Sequence, residues 1–315
     1  MKFLFIDHEC HKRTASAKFF LDIVQKEFRV DEHYYSLCYH TASESVVATY
    51  DGAIIWEFPI SRRNFFFRGK RNVFVPMYDN EWASFWQWKR IAWSSMGVIS
   101  FCDKVSAHAK RCGVKNILDV RYFPDPAQFS QKKGEAKRVF LWERGDISKD
   151  VIEKLFPPEL GYTFDVKKSD EFLSQAEYLS RIAECEIVVA PRRKEGIGMS
   201  FLEAMAMCKC VVAHNDATMN EYIDDGVNGI LFDANAPLAI SVDAIDRVRQ
   251  NLRNSVALMN SNWQKDASEI AKFIKGQKEL NPSLVDSLKI TLSYPLYLLE
   301  GLWYKVKARF KGPCF

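Results

Sequence analysis

The chain has 315 residues, about twice the length of an average domain, so one large or two ordinary domains are expected. Its content of 48% hydrophobic and 27% charged residues is that of a globular protein and excludes a disordered or fibrous chain. No stretch offers the roughly 20 apolar residues that cross a bilayer, and the amino-terminal apolar run is too short for a secretory signal. The net charge of +4 is too small to indicate nucleic acid as a partner.

The eight cysteines are scattered through apolar stretches. The one close pair, Cys208 and Cys210, has a single residue between its members. Zinc and redox motifs use a two-residue spacer. We therefore expect reduced thiols, as in a cytoplasmic protein, and no metal site.

The first part of the chain alternates short apolar runs with helical patterns, which predicts a parallel sheet with helices on both faces. Buried strands are predicted at Lys2–Asp7, Ala53–Trp56, Val73–Val75, Gly97–Phe101 and Asn116–Val120. A helix is predicted from the apolar spacing between Ala17 and Phe28. Between Tyr122 and Lys137 two prolines, a glycine and a charged cluster interrupt the alternation and indicate a linker.

The same alternation then restarts. Strands are predicted at Arg138–Trp142, Glu186–Ala190, Cys210–Ala213 and Gly229–Phe232, and helices at Lys149–Leu155, Met199–Met207, Ala244–Leu252 and Ser268–Ile274. The sequence thus predicts two doubly wound α/β domains, residues 1–133 and 134–275, and a C-terminal helical extension over residues 276–315. Ligands of such sheets bind at the carboxyl ends of the strands.

The most informative segment joins the strand that ends at Ala190 to the helix that begins at Met199. Gly196 and Gly198 allow backbone N–H groups to approach a ligand, and the start of a helix favours negative charge. Three cations, residues 192–194, stand just before the glycines. The segment therefore predicts a site for a phosphate or diphosphate.

Two glutamates frame this turn, Glu195 before the helix and Glu203 inside it. Carboxylates repel phosphate, but they accept hydrogen bonds from the hydroxyl groups of a sugar or ribose. Taken singly, each has a simpler interpretation: Glu195 as a helix cap, and Glu203 as a solvated partner of Lys209.

The two glutamates, with seven residues between them around Gly-Ile-Gly, resemble the paired-glutamate motif of retaining GT-B glycosyltransferases. The resemblance continues through residues 211–213, 220–223 and 225–232, and it is specific between Glu186 and Asp233. It implies an α/β fold of two Rossmann-like domains that face a central cleft, with a nucleotide-sugar donor bound mainly by the second domain. It also implies transfer with retention of the anomeric configuration, with no cofactor besides the donor substrate.

The resemblance assigns roles by position in the motif. Glu195 would contact hydroxyls of the transferred sugar, Glu203 would contact the ribose hydroxyls, and Glu221 would close the donor pocket. The main-chain N–H groups facing the sugar and the diphosphate would be those of Gly196, Ile197, Gly198 and Met199.

Arg144 and Lys149 keep the spacing of an arginine and a lysine that follow the first strand of the second domain in this family, although Glu143 stands where glycine is usual. Two cations there would neutralise the charge on a departing nucleoside diphosphate, which a metal does in other transferases. The resemblance thus implies donor activation without a metal. The alternative is that both cations belong to a solvated loop.

The first domain departs further from the family, since residues 8–13 replace its usual glycine pair. Asp79 or Tyr78, at the end of a predicted strand, is expected to face the acceptor. Asp79 could instead cap a helix over Trp82–Trp93. His8 and His11 are weaker functional candidates, because a lone histidine is more often structural.

Three segments of the chain are rich in aromatic or basic residues. A helix stripe, expected to be core, is formed by Trp82, Phe85, Trp86 and Trp93. In residues 62–71 five cations flank three phenylalanines, which suits anionic headgroups or a lipid diphosphate. In the tail one helix face carries Leu296, Leu299, Trp303, Val306 and Phe310, accompanied by Lys305, Lys307, Arg309 and Lys311. The tail is predicted to be an interfacial basic helix or, alternatively, a terminal helix that packs on the first domain.

Together with these features, the resemblance implies a metal-independent, retaining glycosyltransferase of bacterial surface polysaccharide assembly. The expected partners are a nucleoside diphosphate sugar, a glycan or lipid-linked glycan acceptor and an anionic membrane surface, but no nucleic acid. The expected location is the cytoplasm, with peripheral attachment to the inner face of the cell membrane. Two alternatives are a catalytically silent GT-B subunit and a sugar-nucleotide epimerase or hydrolase on the same fold.

Overall fold

The computed structural model describes residues 1–35, 44–57, 66–79, 84–168, 171 and 174–310. These residues form two compact units. Unit 1 comprises Met1–Val120 and the C-terminal segment from Lys265 on, and unit 2 comprises Arg121–Gln264.

Unit 1 is built on a parallel sheet whose described strands follow the order β2-β1-β3-β4-β5-β6. The strands are β1 (Lys2–His8), β2 (Arg29–Tyr35), β3 (Gly52–Glu57), β4 (Arg71–Pro76), β5 (Gly97–Ser100) and β6 (Ile117–Asp119). The helices between them are α1 (Glu9–Thr14), α2 (Lys18–Glu27), α3 (Glu44–Val47), α4 (Phe85–Ser94) and α5 (Asp103–Arg111). The predicted strands and the helix over α2 are confirmed, because long apolar runs such as those of β1 and β3 are buried on both faces of the sheet.

Unit 2 has a second parallel sheet in the order β11-β10-β9-β7-β8. Its strands are β7 (Glu135–Glu143), β8 (Thr163–Lys168), β9 (Cys185–Val189), β10 (Cys210–His214) and β11 (Ile230–Phe232). Its helices are α6 (Lys149–Leu155), α7 (Gln175–Glu184), α8 (Met199–Ala206), α9 (Met219–Tyr222) and the first part of α10 (Val242–Gly276). One core cluster joins Val139, Val189 and Val212 in the sheet to Val248 in α10.

The boundaries between the units differ from the boundaries at residues 133 and 275 that were predicted from the sequence. The proline-containing segment joins unit 2, where the Tyr122 ring packs edge-on against Trp263 of α10 at 5.0 Å. At the other boundary, α10 is a single 35-residue helix that contributes to both units, where two shorter helices were expected.

The C-terminal helices α11 (Leu284–Leu292) and α12 (Tyr294–Phe310) pack on α4 of unit 1. The Glu300 carboxylate accepts hydrogen bonds from Ser84 Oγ and from the backbone N–H groups of Phe85 and Trp86 at 2.8–3.1 Å. It thereby caps the start of α4, where the helix dipole favours negative charge. The alternative of a terminal helix that packs back on the first domain is thus what the structure shows.

Helix α4 differs from expectation in its cap and in its buried face. Its N-cap is Ser84, whose hydroxyl accepts from the Gln87 backbone N–H, so Asp79 is not the cap. The buried positions include Trp88, Arg90 and Ile91, whereas Phe85 is exposed. The predicted core stripe is therefore wrong for Phe85, and Trp82 lies outside the described residues.

The predicted lipid-binding loop falls partly outside the described residues, which begin again at Phe66. Phe67 is buried, and Arg68 donates to Ser287 Oγ on α11. Lys70 donates to two backbone carbonyls, and Arg71 to the carbonyl of Gln277. The described cations of this loop thus stabilise unit 1.

Candidate functional site

The predicted turn lies at the carboxyl end of β9, where the chain enters α8. Helix α8 begins after Gly198, whose φ of +83° lies in the left-handed region that favours glycine. A Cβ on Gly198 would collide with the Phe201 ring. Gly196, Ile197 and Gly198 are buried, and Met199 is partly buried. Main-chain atoms of the turn therefore lie at the start of the helix, and no side chain caps it.

Both glutamates of the motif are withdrawn from solvent, with 7% of Glu195 and 8% of Glu203 exposed. Burial raises the pKa of Glu203 to about 7. Lys209 does not pair with Glu203, since its ammonium group donates to the carbonyls of Lys132 and Ala183 at 2.8 and 2.7 Å. The simpler interpretation of Glu203 as a solvated helix residue is therefore wrong, and Gly198, not Glu195, is the N-cap of α8.

Tyr178 of α7 connects these carboxylates to Arg144, and the sequence did not single it out. Burial raises the pKa of Tyr178 well above its usual value, the Glu203 charge raises it further, and a hydrogen bond with Ser200 opposes them. The Tyr178 ring packs on Trp142 at 5.2 Å, and the Arg144 guanidinium lies 4.7 Å from the centre of the Trp142 ring. Arg144 is thus stacked on Trp142, and its charge, like those of the two glutamates, acts on the pKa of the same buried tyrosine.

Arg193 connects the loops that follow β7, β9 and β11 of unit 2 through hydrogen bonds. Its backbone N–H donates to the Asp146 carboxylate at 3.3 Å and its Nε to the Asp146 carbonyl at 3.2 Å. Its Nη1 donates to Asn235 Oδ1 at 2.7 Å. Arg192 lies 3.7 Å from Glu195. These two cations, expected beside an anion, are engaged by the protein, so they shape the turn.

Thr218, which precedes α9, stabilises the turn from another loop. It is fully buried, and its hydroxyl donates to the Glu195 carbonyl at 2.7 Å. Its φ of +70° is unusual for a β-branched residue. Such strain persists only where the surrounding structure imposes it. Here the hydrogen bond from Thr218 fixes the backbone of Glu195, which is predicted to bind the sugar.

Two further predicted residues are engaged in ion pairs. Glu221 of α9 lies 2.9 Å from Arg121. Lys149 is the first residue of α6 and is exposed, and the ion pair that the structure shows for it is with Glu153 at 3.5 Å. The structure therefore places Arg144 on Trp142, whereas the Lys149 side chain pairs along its own helix.

The carboxyl edge of the unit 1 sheet carries a cluster formed by Asp7, His11 and Glu57. His11 Nδ1 lies 2.7 Å from Asp7, and His11 Nε2 lies 2.7 Å from Glu57. Burial lowers the pKa of His11, but the hydrogen bonds and charges of the two carboxylates outweigh it and raise that pKa to about 10. At Asp7 burial dominates and raises the pKa, despite the bond to His11. His11 is thus a cation at neutral pH and holds two acids together.

The remaining candidates of unit 1 lie at two strand ends. Asp79 is partly buried and comes three residues after β4. Tyr78 is buried, and its hydroxyl accepts from Lys104 at 2.6 Å. His8 caps α1, where its Nδ1 accepts from the Cys10 backbone N–H. Asp79 and His8 are partly buried, whereas Tyr78 is buried.

Within the described ranges, no group of three or more His, Cys, Asp or Glu side chains is arranged to hold a metal ion. Over the same part of the chain, no helix has both the length and the apolar character needed to cross a membrane. The described cysteines are free thiols, as expected.

A family model described as glycosyl transferases group 1 matches residues 170–280, which include the turn and both glutamates. An uncharacterized glycosyltransferase of Methanocaldococcus jannaschii, MJ1178, is 29% identical over 111 residues, covering 35% of this chain and 31% of that protein. A second from the same organism, MJ1069, is 25% identical over 154 residues, covering 41% and 39% respectively. The chain thus spans between about a third and two fifths of the length of these curated relatives.

Solved structures resemble the protein over most of its length. Sucrose-phosphate synthase of Thermosynechococcus elongatus has a TM-score of 0.59 at 12% identity, covering 87% of this chain and 98% of that one. HepE of Anabaena, in a complex with UDP and glucose, has a TM-score of 0.55 at 14% identity, covering 87% and 99%. The protein therefore has the predicted GT-B fold of two Rossmann-like domains with C-terminal helices, and residues 170–280 of that fold match the glycosyl transferases group 1 model.

Proposed function

We propose that this protein is a glycosyltransferase that moves a sugar from a nucleoside diphosphate donor to a glycan or lipid-linked glycan acceptor. The observation that carries the proposal is the pair of buried carboxylates, Glu195 and Glu203, on either side of the glycine turn after β9. A buried acid is costly unless it is paired, and burial is what raises the pKa of Glu203 to about 7, which supports a ligand that uses this carboxylate. The family model covers this stretch, which supports the same conclusion.

The donor is proposed to bind along the start of α8. The N–H groups of residues 196–199 would bind the diphosphate, and the helix dipole would favour its charge. The Glu203 carboxylate would accept hydrogen bonds from ribose hydroxyls, and Glu195 from hydroxyls of the sugar. HepE, which shares the fold, was crystallised with UDP and glucose, which supports a nucleoside diphosphate sugar as the donor class.

The reaction is proposed to proceed with retention at the anomeric carbon. The bond from that carbon to the diphosphate oxygen breaks, and a bond to the acceptor oxygen forms on the same face of the sugar. The acceptor proton passes to the leaving diphosphate. Arg144, which is stacked on Trp142, would stabilise the charge on that leaving group together with the backbone amides of the turn.

These groups supply positive charge without a metal, so we propose that transfer is metal-independent. Treatment with EDTA should leave the rate unchanged, whereas a rate restored only by Mg²⁺ or Mn²⁺ would contradict this part. Lys149 would contribute only if its side chain left Glu153. Asp79 is proposed to orient the acceptor, and Glu221 to border the donor site while it is held by Arg121.

The acceptor class and the setting, bacterial surface polysaccharide assembly at the inner face of the cell membrane, belong to the same proposal. They follow from the resemblance of the motif and from the basic, aromatic segments of the chain.

The proposal is tested on the full chain with a panel of nucleoside diphosphate sugars. A ligand that binds the folded state raises the melting temperature, so one donor should raise it more than the rest. The selected donor is then offered with glycan and lipid-linked acceptors, and the anomer of the product is read by NMR. Donor binding without transfer to any acceptor would favour a silent subunit, and donor consumption without an acceptor would favour a hydrolase or epimerase.

A further inference from the structure

Between residues 284 and 303, the two C-terminal helices of unit 1 expose large apolar side chains. On α11, Leu284 is 90% exposed and Leu292 is 66% exposed, and on α12, Leu299 is 61% exposed. The set, which we call the α11–α12 apolar surface, consists of Leu284, Val285, Leu288, Leu292, Leu296, Leu299, Leu302 and Trp303. Apolar side chains grouped in this way on a protein surface indicate an interaction site.

The spacing of these side chains is that of one helix face. Leu284, Leu288 and Leu292 recur every four residues on α11. Leu296, Leu299 and Trp303 continue with spacings of three and four on α12. In an amphipathic helix of a globular protein this face normally packs on the core. Here it lies on the solvent side, so the pattern is the reverse of ordinary packing.

The exposure does not come from loosely attached helices, because their other faces are bound to unit 1. The Arg90 guanidinium of α4 is buried and lies 5.3 and 5.6 Å from the rings of Tyr294 and Tyr297. Glu300 caps α4 with three hydrogen bonds. On α11, Ile290 is buried. The helices are therefore fixed with the apolar surface facing outward.

The sequence from residue 284 onward carries more cations than acids. From residue 284 to the end of the chain there are five cations, namely Lys289, Lys305, Lys307, Arg309 and Lys311, and two acids, Asp286 and Glu300. Both acids are engaged, Asp286 by Lys289 at 3.1 Å and Glu300 by the start of α4. Aromatic side chains suited to a lipid interface adjoin them, since Trp303 is in the surface and the exposed Phe85 donates its backbone N–H to Glu300.

We propose that the α11–α12 apolar surface inserts into the interface of a bilayer that contains anionic lipids, with the basic end of α12 among the headgroups. Apolar contact and attraction to anionic lipid act together in such attachment. A second copy of the chain would instead bring like positive charges together, which disfavours self-association. The inference rests on the membrane setting of the proposed function but not on the donor site, so it and the proposed sugar transfer can fail separately.

The test is flotation of the full chain with vesicles of phosphatidylcholine alone and with 30% phosphatidylglycerol. We expect binding to the anionic vesicles that is weakened by 0.5 M NaCl. The double variant L288E/L299E should lower the partition coefficient by about tenfold or more. The matched control is L258E, since Leu258 of α10 is equally exposed but lies outside the surface; it should bind like the unchanged protein.

Trp303 provides a second measurement. Its fluorescence should shift to the blue when anionic vesicles are added, and W303F should lose that part of the shift. Equal vesicle binding by L288E/L299E and L258E would overturn the proposal, and so would no binding of the unchanged protein to anionic vesicles. Sedimentation of the unchanged protein as a dimer that L288E/L299E dissociates would also overturn it, in favour of a second copy as the occupant.

Discussion

The carboxyl edges of the two parallel sheets use acidic side chains in different ways. In unit 1, Asp7 and Glu57 are bridged by His11, which is a cation at neutral pH. In unit 2, Glu203 is buried with a pKa of about 7, and that shift has burial as its cause. At the first edge a cationic histidine binds both acids, although Asp7 Oδ2 has no hydrogen-bond partner, whereas at the second edge burial is the one cause resolved for the pKa of Glu203. Burial alone therefore does not identify a binding acid; the partner of the acid does.

The largest effect is expected at the proposed sugar ligand. Glu195→Gln should lower the transfer rate by about 10³-fold, because it removes the carboxyl group proposed to accept hydrogen bonds from the sugar hydroxyls. Binding of the free nucleoside diphosphate, measured by calorimetry, should stay within about twofold of the unchanged protein. Glu159→Gln, at an exposed glutamate of the same unit, is the control. Normal turnover of Glu195→Gln would show that Glu195 does not bind the substrate, and the contrast drawn between the two sheet edges would be wrong.

The next effect concerns the turn itself. Gly198→Ala should lower the free energy of unfolding by about 3 kcal/mol, because the left-handed φ is combined with a collision at Phe201. Gly145→Ala is the matched control, since its φ of +91° is also left-handed but nothing lies within 4 Å of the added Cβ. The Gly145→Ala substitution should lower the free energy of unfolding by about 1 kcal/mol. Urea denaturation measures both, and equal losses would show that packing against Phe201 is unimportant.

In unit 1, His11→Gln should lower the free energy of unfolding by about 2 kcal/mol, because the two carboxylates lose the charge between them. The raised pKa of His11 fixes the sign of the pH dependence. Its contribution is complete below about 6.5 and is lost as the pH rises through about 10, since the folded state holds the proton longer. Stability of the unchanged protein should fall over that range, and His11→Gln should flatten the slope.

Lys12→Gln, on the same helix and exposed, is the control for His11→Gln and should keep the slope. The same slope in His11→Gln as in the unchanged protein would contradict the bridge.

The smallest effect is expected at Glu203 and depends on pH. Ribose hydroxyls bind the ionised carboxylate, so nucleotide affinity should rise as the pH goes from 6 to 8, by up to about tenfold. The raised pKa of Glu203 has the opposite effect on the stability of the free protein. Its contribution to the free energy of unfolding falls as the pH rises from 4.5 through about 7. Titration calorimetry at several pH values checks the first effect, and Glu203→Gln should abolish it. An affinity that is independent of pH in the unchanged protein would exclude Glu203 as the ribose ligand.

Among the strands, the sequence predicted those with a continuous apolar run and missed those without one. Strand β9, the glycine turn and α8 were predicted because a buried strand and a helix meet there with two glycines between them. The edge strands β2 (Arg29–Tyr35) and β8 (Thr163–Lys168) were missed, since charged residues interrupt their apolar pattern.

The residues that stabilise the site were less predictable than the glutamates. Tyr178, Thr218 and Arg193 act through contacts with distant parts of the chain, which no local spacing reports. The pairing of His11 with Glu57 is of the same kind, because the two residues are brought together by neighbouring strands. The tail shows a different limit. Its amphipathic pattern was compatible with two opposed alternatives, and in the structure the helix packs on α4 while Leu296, Leu299 and Trp303 of the predicted apolar face are exposed.

A crystal structure with the donor selected by thermal shift tests the central claim most directly. We predict the diphosphate at the backbone N–H groups of residues 196–199, with ribose hydroxyls within hydrogen-bonding distance of the Glu203 carboxylate and sugar hydroxyls at Glu195. A donor bound elsewhere on the protein, with this turn unoccupied, would contradict the account.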